Sequence, residues 1–231
     1  MLRTRFFSYL LGSTLLLNGT RPGHAAEPPA QALFNGENLQ GWDGDPRYWS
    51  IAGGVIRGET TLSNLPLKNT FLVWRGGTLK DFELRLRFRI RSGNSGVQYR
   101  SRDLGNWVVS GYQAEIENNA RKIGLLYEEK GRKFLALPGQ VAEITEAGQK
   151  RVTRRLFEDA AASAHYAPRD WNEFLIRAQS HRVEHWINGV KTLEFTDRDA
   201  QYRSVKGLLA LQIHAGPPMR VEFKDIYLKN L

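Results

Sequence analysis

The chain has 231 residues, 41% of them hydrophobic, which is enough for a substantial core and fits one all-β domain of generous size. Eleven Phe, eight Tyr and six Trp against two Met tilt the composition toward strands, because aromatic rings fit a pleated surface. The formal charge is +9, and the absence of cysteine excludes both a disulfide framework and a lipid-modified cysteine after a leader.

The first residues read as an export signal rather than as structure. Arg3 and Arg5 make a basic start, residues 6–17 are an almost unbroken apolar run, and Gly23 and Ala25 supply small residues at the −3 and −1 positions of a cleavage site. That run is too short to span a bilayer comfortably, and no later stretch is apolar enough to do so. The expected organisation is a signal peptide over residues 1–25 and a single mature domain over 26–231, periplasmic or secreted, with no membrane attachment after cleavage. Loss of Arg3, Arg5 and Arg21 lowers the formal charge from +9 to +6. The remaining basic residues are interleaved singly along strands, as in FELRLRFRIR, and form no arm. Nucleic acid is therefore not an expected partner.

From about Ala32 onward, period-2 segments alternate with Gly, Asn, Asp and Pro, the pattern of a β-sandwich. The clearest strand covers residues 82–90. Phe82, Leu84, Leu86, Phe88 and Ile90 fall on one side, and Glu83, Arg85, Arg87 and Arg89 on the other, an arrangement that a helix would scatter. Residues 97–100, 112–117 and 174–178 continue the alternation. Residues 158–167, alanine-rich and ending before Pro168, predict a loop with one helical turn. Asn188-Gly189 between apolar residues predicts a two-residue hairpin turn. Leu209, Leu211 and Ile213 then alternate with Ala210, Gln212 and His214. A parity change between Phe223 and Ile226 predicts a bulge near Lys224 and Asp225. No linker divides the chain, so a sandwich of two antiparallel sheets with about a dozen strands is the economical reading.

Three segments place chemistry on the face away from the core. In NSGVQYRSR, Val97 and Tyr99 take the core and leave Gln98 and Arg100 opposite. In GYQAEIENN, Ala114 and Ile116 point inward while Gln113, Glu115 and Glu117 line up outward. In LLALQIHAGPP, Gln212 and His214 do the same. Amides that donate and accept together, with a guanidinium and carboxylates, match what sugar hydroxyls need. His214 taken alone fits a structural role better than a catalytic one. The other mature histidines show no ligand spacing, so no metal site is supported by motif and no cofactor is evident. Glu115 with His214 leaves room for a divalent cation. Trp107, in a Gly-Asn-Trp loop, reads equally as a platform for a sugar ring or as a packed loop anchor.

The ordered set FNGENLQGW, NTFLVWRGG, DFELRLRFRI, NSGVQYRSR, GYQAEIENN, GLLYEEKGRKFLA, DWNEFLIRA, the INGV turn and GLLALQIHAGPPMRVEFKDIYLK resembles the 3-keto-disaccharide hydrolase family across essentially the whole mature chain. The resemblance implies an all-β, concanavalin A-like (LamG-type) jelly roll and action on an oligosaccharide or glycoside already oxidised at C3. A ketone at C3 acidifies the C2 proton. A base can then remove that proton while the C1–oxygen bond breaks, and water adds to the enone, giving net hydrolysis. Side-chain chemistry, not the family, suggests the roles. Glu115 is the candidate base, Arg100 or a bound cation stabilises the enediolate, and His214 protonates or orients the leaving group. Gln98, Gln113, Glu117, Gln212 and Trp107 are candidate sugar ligands.

Two rival functions remain open at this level. An ordinary glycosidase of the laminarinase type uses Glu-x-Asp-x-Glu, but the corresponding positions are Gln113, Glu115 and Glu117, and an amide cannot be the nucleophile. A non-catalytic carbohydrate-binding module is the other, since jelly rolls host both jobs.

Overall fold

The computed structural model of the protein describes residues 29–118, 121–157 and 165–231. The expected leader and most of the alanine-rich stretch, residues 158–164, lie outside the described residues. In chain order the strands are β1 (Gln31–Ala32), β2 (Trp42–Asp43), β3 (Trp49–Ala52), β4 (Val55–Glu59), β5 (Thr70–Leu79), β6 (Phe82–Ser92), β7 (Asn94–Asp103), β8 (Val109–Glu117) and β9 (Leu126–Glu129). They continue as β10 (Lys133–Ala136), β11 (Gln140–Ile144), β12 (Lys150–Arg155), β13 (Asn172–Gln179), β14 (Arg182–Ile187), β15 (Val190–Asp197), β16 (Gly207–Ile213) and β17 (Arg220–Asn230). The described residues thus hold more strands than the dozen expected. The extra ones are short: β1 and β2 have two residues each, too few to show alternation.

Two sheets face each other. The larger runs β12-β11-β15-β14-β13-β6-β17-β4-β3, with β1 beside β17, and the smaller runs β10-β9-β8-β7-β16-β5-β2. All pairings are antiparallel except β11 with β15. Between the sheets lies one large core to which the alternation of β6 contributes Phe82, Leu84, Leu86, Phe88 and Ile90, all essentially buried. Burying each such side chain contributes about 1.5–3 kcal/mol. The other parity of β6 meets its neighbours as an ion-pair ladder: Glu83 with Arg85 and Arg177, and Glu222 with Arg89 and Arg57. The Asn188-Gly189 turn forms with both residues at positive φ, and a register shift falls between Lys224 and Tyr227 with Asp225 at φ 52°.

One alternation breaks. Between Tyr99 and Arg102, strand β7 carries one residue more than β8: Tyr99 faces Tyr112, but Arg102 faces Ser110. Arg100 takes up this bulge in the left-handed region, at φ 49°. Its side chain leaves the Gln98 face and is 1% exposed. There it donates from Nε to the Lys80 carbonyl at 2.7 Å, from Nη1 to the Ser180 carbonyl at 2.9 Å, and from Nη2 to Asp81 at 3.1 Å. Gly207 lies against the bulge, where a Cβ would stand 2.4 Å from the Arg100 carbonyl carbon. Arg100 therefore ties the β5–β6 turn to the β13–β14 turn, and the expectation that it shares a cleft with Gln98 is corrected.

This placement makes Arg100 a stability residue. Arg100→Met leaves the Lys80 and Ser180 carbonyls without the side-chain donor and Asp81 without its charged partner, so chemical denaturation should show a loss of about 2–3 kcal/mol. A variant as stable as the parent would contradict the assignment.

A candidate active site on the concave sheet

The smaller sheet is strongly curved, and a single contact measures the curvature. Strands β9 and β5 are separated by β8, β7 and β16, so in a flat sheet they would stand about 19 Å apart. Yet Asn69, just before β5, donates from Nδ2 to the Glu129 carboxylate of β9 at 3.4 Å. Side chains on this face, outward by alternation, are therefore gathered into a cavity. Asn69, Asn94, Gln113, Glu115, Lys122, Leu125, Tyr127, Glu129, Phe134, Gln212 and His214 line it, around a volume of about 220 Å³.

Its floor is a chain of amides. The Ser101 hydroxyl donates to Gln98 Oε1 at 2.7 Å, Gln98 Nε2 donates to Gln113 Oε1 at 2.8 Å, and Gln113 Nε2 donates to Glu115 Oε2 at 2.7 Å. Asn94 Nδ2 donates to the other carboxylate oxygen of Glu115. Gly96, directly opposite Glu115 on β7, makes room for this arrangement, because a Cβ there would lie 2.5 Å from the Gln113 side chain. Gln212 accepts from Gln113 at 3.3 Å through Oε1, which leaves its buried Nε2 without a partner. Asn94 Oδ1 is likewise buried and unpartnered. Both residues line the cavity beside the carboxylate, and each keeps one buried polar atom without a partner, a donor on Gln212 and an acceptor on Asn94.

Burial pushes the Glu115 carboxyl up to about 7, and the nearby Glu117 charge adds to the rise, while the bonds from Asn94 and Gln113 and the charge of Lys122 oppose it. Glu129 is raised as well, again by burial, with Asn69, Lys130 and His214 pulling the other way. Tyr127 feels the charge of both glutamates, and its ring packs edge-on against Phe134 at 5.2 Å to form an aromatic wall. Behind β9, Glu128 turns to the opposite side, where Arg132 bridges it at 2.7 Å to Asp197 at 2.6 Å. That bridge fixes the strand end that carries Glu129.

The structure brings Gln113, Glu115, Gln212 and His214 to one cavity, with Gln98 beneath it and His214 exposed at its rim. Arg100 is elsewhere, as described above. Glu117 sits at the end of β8, 3.6 Å from Lys122, and does not line the cavity, although its charge acts on Glu115. Trp107 lines a separate hollow, and its indole Nε1 donates to Asp43 at 2.7 Å while its carbonyl accepts from Phe71 N. It anchors its loop and does not line the Glu115 cavity. Sequence reasoning missed Asn69, Asn94, Lys122, Tyr127 and Glu129. For two of these a signal existed: Tyr127 and Glu129 share a parity on β9, masked by the adjacent Glu128. Among the described residues no group of three His, Asp or Glu side chains converges as a metal ion would require.

The family model of the 3-keto-alpha-glucoside-1,2-lyase-like domain matches residues 29–229. The chain belongs to that family. A search of the curated proteins finds no match. Among solved structures, a glycosyl hydrolase candidate from Parabacteroides distasonis superposes with a TM-score of 0.59 at 18% identity, covering 88% of this chain and 100% of that one. A Bacillus subtilis protein with a galectin-like fold gives 0.57 at 12% identity, covering 90% and 97%. A carbohydrate-binding module from Bacillus subtilis gives 0.54 at 13% identity, covering 84% and 98%. At these identities the likeness shows the fold, a concanavalin-like jelly roll of two mostly antiparallel sheets. The family marks the chain as a carbohydrate-related, glycosyl-hydrolase-like protein.

The raised carboxyl has a thermodynamic consequence. A group whose folded pKa lies above its ordinary 4.5 favours the protonated form, so its contribution to stability is full below about 4.5 and is lost as pH rises through about 7. Glu115→Gln removes that loss. Urea denaturation at pH 5 and pH 8 should find the variant gaining about 1–3 kcal/mol relative to wild type between the two. Parallel pH dependence in the two proteins would contradict the raised value.

Proposed function

We propose that the protein cleaves glycosides carrying a ketone at C3, with Glu115 as the base that removes the C2 proton. The observation that supports this most is a carboxylate at the bottom of a sugar-sized polar cavity, held by neutral amides and titrating near neutrality, where a general base is most effective. In the first step the C2–H proton passes to Glu115, the electron pair forms the C1=C2 bond, and the C1–O bond breaks. The departing oxygen takes a proton at the rim, where His214 and Glu129 stand together. In the second step water adds at C1 and a proton returns to C2, so the net change is hydrolysis. The charge that develops on the C3 oxygen meets the unpartnered amide of Gln212 and the Lys122 ammonium, which take the part first given to Arg100. Asn94 Oδ1 offers an acceptor to a sugar hydroxyl. In this reading the protein works on sugars outside the cytoplasm, after loss of residues 1–25.

Double displacement by an ordinary glycosidase lacks its nucleophile. Gln113 occupies that position and its amide is fully engaged, to Gln98, Glu115 and Gln212. A binding module alone gives no reason for a half-buried carboxylate held by neutral amides and pushed up in pKa.

The test is turnover of matched substrates. A 3-keto-glucoside should be cleaved and its unoxidised parent left intact, and Glu115→Gln should lower kcat on the keto substrate by about 10²–10⁴. Equal cleavage of both substrates would favour the glycosidase, and sugar binding without turnover would favour the module.

A further inference from the structure

Next to the Glu115 cavity lies a second hollow of about 430 Å³, and Glu129 lines both. Its walls carry Arg102 from the end of β7, Lys130 from the β9–β10 turn and Arg203 from the segment before β16, together with the carboxylates of Glu128 and Glu129. Many arginines among the described residues end on a carboxylate: Arg47, Arg57, Arg75, Arg85, Arg89, Arg132, Arg151, Arg177, Arg182 and Arg220 all form short ion pairs. The three cations of the hollow do not, among the described residues. Arg102 reaches only the Ser110 hydroxyl at 3.4 Å, and Arg203 only the Arg198 carbonyl at 3.5 Å.

The acids nearest to them are largely committed to other partners. Glu128 and Asp197 hold Arg132, and Asp103 holds Arg75. Glu129 is bonded to Asn69, stands between the two cavities and feels the Lys130 charge. Arg102 and Arg203 therefore lack a carboxylate partner, and an anion in the hollow would offset the excess of positive charge. Arg102 and Arg203 present planar donor forks, which suit a carboxylate or a sulfate. Tyr202, largely exposed on the same wall, adds an aromatic face.

We propose that this hollow binds an acidic sugar unit, carrying a carboxylate or a sulfate ester, on the far side of the bond whose keto-sugar lies in the Glu115 cavity. The proposal rests on the reading of the concave face as a sugar site and adds the chemical class of the second unit. Glu129, shared by both hollows, then stands at the junction of the two sugar units, where the leaving oxygen would be.

Binding decides it, without turnover. Wild-type protein is titrated calorimetrically with neutral cellobiose, with the same disaccharide bearing a glucuronic acid as its second unit, and with one bearing a 6-sulfate there. At low ionic strength at least one acidic probe should bind about tenfold more tightly than cellobiose, and which one identifies the anion. The advantage should shrink as salt is added and disappear in an Arg102→Gln/Arg203→Gln double variant. Equal affinity for all three probes would overturn the acidic-sugar assignment while leaving the sugar site standing. An acidic preference that neither salt nor the double variant removes would also overturn it. Failure of all three to bind would overturn the acidic-sugar assignment, while the keto-glycoside reading is decided separately by turnover of the matched substrates.

Discussion

Curvature of the seven-stranded sheet is the constraint on which the site depends. Strand alternation alone would put Gln98, Gln113, Glu115 and Gln212 on a solvated face, where each would be an ordinary polar surface residue. Bending the sheet until Asn69 meets Glu129 across three intervening strands turns that face into a wall and floor. Water is thereby thinned around Glu115, and the amides are forced to satisfy one another. The bulge at Arg100 and the glycines at 96 and 207 belong to the same constraint, because each is a place where the curved sheet needs space or a change of hand.

The two outer faces of the sandwich treat carboxylates in opposite ways. On the larger sheet, Glu222 lies between Arg57 and Arg89, and these partners hold it below the usual range despite its burial. In the cavity Glu115 is also hydrogen-bonded twice, but by the neutral amides of Asn94 and Gln113, which cannot outweigh burial. Neutral donors orient a carboxylate without removing its basicity. That is the difference between a group used for structure and one available to take a proton.

Much of this was legible in the sequence. The alternation of residues 82–90, 112–117 and 209–213 located the core face of three central strands, and so located Gln113, Glu115 and Gln212 opposite it. The site was incompletely legible for specific reasons. The turn at Arg100 uses an arginine at positive φ, where a reader expects Gly or Asn, so the parity of NSGVQYRSR was followed one residue too far. Glu129 was hidden by its neighbour Glu128, and a four-residue strand shows too little alternation to separate them. Asn69 lies before its strand, and its meeting with Glu129 depends on curvature, which no local pattern encodes. Trp107 had two readings in sequence; its bond to Asp43 and its distinct hollow select the loop anchor.

The account holds that Glu115 takes a proton from C2 of a 3-keto sugar, and that step can be isolated from cleavage. The compound 3-keto-1,5-anhydroglucitol has the ketone but no leaving group at C1, so it cannot go on to products. Its C2 and C4 protons both flank the ketone and exchange slowly in heavy water, which proton NMR follows at each carbon. The protein should accelerate exchange at C2 over C4, and Glu115→Gln should lose about 10²–10⁴ of that acceleration. Exchange no faster than in buffer, or equal acceleration at both carbons, would contradict the account.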